Sequence, residues 1–195
     1  PITNSISGLA DGVLQICVIG QDSAGNWQTE ATASSASWTK DILAPVATIS
    51  GAPTAANNTT TLNITIGGTD VAFYKYKIRA TATTACSDST GYSASPVAIA
   101  TLISNSISAF ADGAIELCVI GQDSAGNLQS TATSSSWTKD TILPAATVSG
   151  APSGSSLATT LDITIAGTDV VQYKYKIRAS GDTSCSDSTG YSIAT

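Results

Sequence analysis

The chain repeats itself at domain length. The stretch ITNSISGLADGVLQICVIGQDSAGNWQT, from Ile2, returns as ISNSISAFADGAIELCVIGQDSAGNLQS, from Ile103, at an offset of 101 residues. A two-residue deletion before Trp137 shortens the offset to 99, and it then holds through SWTKD, SGAP, GTDV, YKYKIRA and CSDSTGYS. Whatever folds once must therefore fold again from nearly the same letters. The sequence divides into residues 1–40, the C-terminal part of a repeat, 41–140, a complete repeat, and 141–195, the N-terminal part of another.

The two partial copies are in phase with each other. Joining the ends gives IATPITNSIS, which matches the internal IATLISNSIS: Ile193, Ala194 and Thr195 correspond to Ile99, Ala100 and Thr101, and Pro1 and Ile2 to Leu102 and Ile103. The copies differ there by a loop, seven steps from Tyr92 to Ile99 against two from Tyr191 to Ile193. The chain thus reads as a double repeat cut at an arbitrary phase. Three arrangements are open: a window on a longer tandem array, separate chains that complete each other head to tail, or closure of the two halves within one chain. The cut falls inside an expected strand, which favours the first two. The absence of Met and of a leader segment also fits a mature piece or a window.

Period-two alternation sets the fold class. In TLNITI, Leu62, Ile64 and Ile66 face one way; in FYKYKIR, Tyr74, Tyr76 and Ile78 oppose Lys75, Lys77 and Arg79; in IELCVI, Ile115, Leu117 and Val119 share a face. This is the pattern of half-buried strands. SGAP, ADG and DSAGN supply the turns, and no stretch carries a helical stripe. The pattern predicts strands at Val46–Ser50, Thr61–Ile66, Ala72–Arg79, Ala100–Ser108, Ala114–Gly121 and Ser130–Thr138, with a short pairing near Tyr92. The expected class is all-β: tandem immunoglobulin-like Greek-key sandwiches, one complete and two partial. Pro45 and Pro144, after TKD, stiffen the joints.

Four cysteines fall two to a repeat. Cys118 is opposite in phase to Leu117 and Val119, so it is expected to face outward, and Cys86 lies in the TTACSDSTGYS loop. A Cys86–Cys118 disulfide strapping that loop to the sheet is expected, closing 32 positions, worth about 3–4 kcal/mol by chain entropy. By the same logic Cys185 pairs with a Cys17-type residue, across the junction or between chains. The alternatives are reduced thiols or, with too few ligands, a metal site.

Other features divide between structure and ligand. Asp22, Asn26, Asp123 and Asn127, in the two GQDSAGN stretches, carry oxygen atoms suited to calcium, but their spacing is that of a hairpin turn. Asp41, Asp140, Asp70 and Asp169 form a second, weaker calcium set at the joints. The Lys75, Lys77, Arg79 row and its copy, Lys174, Lys176, Arg178, are expected to form the solvated face of a strand. Trp38 and Trp137 are expected to pack in the core or joint. Trp27, matched by Leu128, is expected to be exposed and is the candidate ligand contact.

Function classes narrow by exclusion. With no His, a Ser-His-Asp or Cys-His nucleophile cannot be assembled, and no acid–base pair or phosphate loop stands out, so no enzymatic activity and no cofactor are expected. A net charge of −6 argues against nucleic acid or anionic membrane as partner. No apolar run is long enough for a membrane-spanning helix.

The motifs GTDV..YKYKI, ADG…L.V.GQDSAGN.Q and SWTKD…P resemble the tandem immunoglobulin-like repeats of large bacterial surface proteins and adhesins. The resemblance covers essentially the whole chain. It implies an extracellular or cell-surface stalk, fibre or adhesive array, with copies of itself as partners. The expected role is a structural repeat unit. An adhesin module for carbohydrate or a host receptor, and an accessory domain of a secreted enzyme, are the alternatives.

Overall fold

The computed structural model describes residues 1–182 and 184–192. It comprises two units, Pro1–Asp140 and Thr141–Thr195. The strands are β1 (Gly12–Val18), β2 (Ser34–Lys40), β3 (Val46–Ser50), β4 (Ala56–Asn57), β5 (Thr65–Thr69), β6 (Phe73–Ala80), β7 (Val97–Ala98), β8 (Gly113–Gln122), β9 (Thr133–Lys139), β10 (Ala145–Ser149) and β11 (Thr164–Thr168). The described helical content is one short 3-10 turn at Glu30–Thr32. That turn holds the residues deleted from the later copy, so the change in repeat offset is absorbed in a surface turn.

The complete repeat is a two-layer sandwich. One layer pairs β3 with β5 antiparallel and adds bridges Ile64–Ile103 and Thr61–Ser106. The other runs in the order β4-β9-β8-β6-β7. First and second strands thus pair in one layer, third with sixth and sixth with seventh in the other, as in an immunoglobulin-type Greek key. Alternation fills the space between. Leu62, Ile64, Ile66 and Ile103 from one side meet Tyr74, Leu117, Val119 and Trp137 from the other, all buried. Tyr74 donates its hydroxyl hydrogen to the Thr101 carbonyl at 2.6 Å, so the buried phenol is satisfied. Gln129 ties the layers together: its Oε1 accepts from Ala47 N at 2.9 Å and from Gly121 N at 3.2 Å.

Boundaries shift from the expected ones for local reasons. The second strand was expected at Thr61–Ile66; its ladder runs over Thr65–Thr69, with single bridges at Thr61 and Ile64. Gly68 makes that register possible: at φ +135°, a Cβ there would lie 2.0 Å from the Val46 carbonyl oxygen. Residues 100–108 touch their partner at bridges instead of a continuous strand. The pairing expected near Tyr92 occurs at Val97–Ala98. Tyr92 instead sends its hydroxyl to the Cys86 carbonyl, 2.9 Å away. β4 was not expected; it runs parallel to the end of β9.

The partial copies form less. In residues 1–40, β1 pairs with β2 antiparallel, Cys17 opposite Ser35, the register of β8 and β9, Cys118 opposite Ser134. In the second unit β10 pairs with β11. Residues 173–179 there read YKYKIRA, the same letters as 74–80 of β6, yet form no strand. Identical side chains are a strand beside β8 and irregular without such a neighbour, so here tertiary pairing decides the conformation.

Candidate functional site: a strapped loop and two open sandwich faces

Cys118 and Cys86 are joined by a disulfide, with Cα atoms 5.5 Å apart. The loop from Thr81 is thereby laid against the outer face of β6 and β8. That cover corrects one expectation. Cys118 does leave the core side of its strand, but it is fully buried, because the loop it holds lies over it.

A second correction concerns the basic row. Lys77 was expected in solvent; it is 4% exposed. Its register partner on β8 is Cys118, so the strapped loop covers it too. Nζ donates to the carbonyls of Ala85 at 2.7 Å, Asp88 at 2.7 Å and Thr90 at 3.1 Å, and sits 4.7 Å from the Tyr92 ring centroid. The ammonium's three hydrogens have three acceptors and its charge rests on a π face. Arg79 pairs with Glu116 on β8 and donates to the Thr81 and Thr83 carbonyls. Its Nε is buried without an acceptor, since the neighbouring carboxylate and carbonyls are taken up by the terminal nitrogens. The sequence signal for the cage was present: alternation puts Lys77 on the face of Cys118, and a loop anchored by Cys86 must cross it.

The second unit builds the same cage without a disulfide. Lys176 Nζ donates to the carbonyls of Ser184 at 2.8 Å, Asp187 at 2.7 Å and Thr189 at 3.2 Å and lies 4.8 Å from the Tyr191 ring. Tyr191 donates to the Cys185 carbonyl at 2.9 Å. Cys185 and Cys17 are both free and exposed. The junction match at Ile193, Ala194 and Thr195 lies outside the described residues.

The GQDSAGN stretches are turns. Asp123 Oδ1 accepts from Gly126 N at 2.7 Å and Asn127 N at 2.8 Å, and Oδ2 from Asn127 Nδ2 at 2.7 Å. Asp22 and Asn26 make the matching bonds. The structure also regroups the expected calcium sets: Asp41 and Asp70 gather with Asp123, their carboxylate oxygens within 4.8 Å of one another. At the joint between the first partial and the complete copy, Asp11 takes Lys40 Nζ at 2.6 Å and Ile42 N at 3.1 Å.

These hydrogen bonds shift acidity. The Asn26 side chain and backbone hold Asp22 below the usual carboxylate range. Burial works against the charge of Asp123, but the combined bonds from Asn127 and Gly126 prevail and its carboxyl also lies low. Lys40 and Ile42 do the same for Asp11. A carboxyl lowered on folding contributes stability above its unfolded value, near pH 4, and loses it as pH falls through the lower folded value. Stability, read as the urea midpoint, is expected to be level from neutrality to about pH 4 and to fall below it. An unchanged midpoint through that acid range would contradict the assignment.

Trp27 is 61% exposed, beside the turn where it bridges to Gln21. Trp137 packs in the core, whereas its mate Trp38 is 40% exposed.

No family model matches the chain and no curated relative was found. Among solved structures, the chain is similar to a crystal structure described as a tetra-tandem repeat in the extending region of a large adhesion protein. The identity is 28% over 87% of this chain, with a TM-score of 0.38. The match spans 42% of that structure's length.

Proposed function

We propose that the chain is a structural repeat segment of an extracellular fibre, stalk or giant surface protein, with a mechanical role and no catalysis of its own. The observation that carries this reading is the domain-length repeat whose complete copy is a sandwich strapped by a disulfide. Repetition supplies length, since each sandwich needs only its own halves and a short joint. Five residues, Asp41 to Pro45, separate β2 from β3, and Pro45 is fully buried, which limits bending. The disulfide points to an oxidising compartment. The acidic surface suits a soluble array.

Forced extension tests the role. The disulfide removes 32 residues from the extensible length of the complete sandwich, so its unfolding step should be shorter by about 110 Å under oxidising than under reducing conditions. Equal steps, or extension without a force peak, would refute a load-bearing sandwich.

The exposed Trp27 favours a second reading, an adhesin module for carbohydrate. Binding on a glycan array that disappears in Trp27→Ala would support it; an array without signal would remove it.

A further inference from the structure

The open face of the second unit corresponds to a face that the complete repeat buries. Leu161, Ile163, Ile165, Tyr173 and Ile177 line an apolar groove of about 500 Å³ within that unit. Their counterparts in the complete repeat, Leu62, Ile64, Ile66, Tyr74 and Ile78, pack against residues 103–137. Tyr74 is fully buried, while Tyr173 is 39% and Ile177 74% exposed. Residues 1–40 are the mirror case: Val119 is fully buried, but its mate Val18 is 44% exposed.

We infer that residues 1–40 of one copy of this chain seat on residues 145–192 of a second copy, completing a sandwich head to tail, and that Cys17 of the first then bonds to Cys185 of the second. This deepens the structural reading above and rests on it only for the use made of the resulting array. The occupant is set by the complete repeat, which displays the same two halves already assembled. Transferring its register places Tyr175 opposite Val18, Lys176 opposite Cys17 and Ile177 opposite Ile16. Gln28 Oε1 takes the place of Gln129 Oε1, which accepts from Ala47 N, and so meets Ala146 N. The seam loses one charge pair of the template: Glu116, which pairs with Arg79, has Gln15 as its counterpart, so Arg178 faces a neutral amide.

The Lys176 cage gives the independent support. It holds the Cys185 loop in the form that, around Cys86, accompanies a disulfide, so the loop is shaped before its partner thiol arrives. The bond needs a disulfide oxidant such as oxidised glutathione. The two cysteine thiols give up two protons and two electrons as one S–S bond forms; the oxidant's S–S bond breaks and yields two glutathione thiols.

The test is the 195-residue chain incubated with oxidised glutathione, then non-reducing electrophoresis and mass spectrometry of the digest. A ladder of multimers carrying Cys17–Cys185 peptides is expected. Cys17→Ser should abolish the ladder and keep the Cys86–Cys118 peptide. Val18→Asp and Ile177→Asp alter side chains already exposed in the single chain, so each should fold, and each should lose association in sedimentation. Monomers with both thiols open to alkylation would overturn the inference. So would Cys17–Cys185 bonds confined to monomers, which mean closure within one chain, or statistical Cys17–Cys17 and Cys185–Cys185 dimers. A monomer that still gives the oxidised force peak would end head-to-tail assembly and leave the structural role standing.

Discussion

Lys77→Met is expected to destabilise the complete sandwich by about 3 kcal/mol. The substitution keeps the aliphatic stem that crosses the sheet. It removes the donor that satisfies the carbonyls of Ala85, Asp88 and Thr90. Each buried acceptor left without a partner costs about 1–3 kcal/mol, and the loop recovers part of that by loosening into water. Lys77→Arg should not rescue, because a planar fork cannot direct three hydrogens at a ring of carbonyls as an ammonium does. Hydrogen exchange on β8 reads the effect, since those amides report the complete sandwich. Protection unchanged from the parent chain would show that the cage contributes nothing.

Replacing both Cys86 and Cys118 by Ala should cost about 3–4 kcal/mol, the entropy of a closed loop of that length. The disulfide and the lysine cage hold the same loop, so the two losses should not add. Once the loop has left the sheet, removing the second strap releases little more. The triple variant is therefore expected to lose less stability than the sum of the separate losses. Additive values would mean that each strap secures a different part of the structure.

Alternation made the core legible. Leu62, Ile64 and Ile66, with Tyr74, Leu117 and Val119, could be assigned to one interior from period two alone, because the buried face of a strand must be continuous. Strand ends were less legible. Whether Thr61–Ile66 or Thr65–Thr69 makes the ladder depends on the close approach at Gly68, and a glycine in a row of Gly, Thr and Ile does not announce which carbonyl it lies against. The outer face misled for a different reason. Lys77 has the periodicity of a solvated residue, and it is the loop following β6, folded back over the sheet, that buries it. The acidic residues show the same limit: Asp41, Asp70 and Asp123 come from three separate stretches, and no local spacing foretells their meeting.

The replacement of Glu116 by Gln15 in the earlier copy bears on how such a polypeptide is made. On the ribosome β1 emerges before β6, and β8 only afterwards, so β6 meets an imitation of its proper neighbour first. Near-copies in one chain invite that error, and such a mispairing would set Cys17 where Cys118 belongs, opposite Lys77. Of the two candidate neighbours, the later strand alone offers Arg79 a carboxylate, so one half-buried ion pair favours β8 over its near-copy.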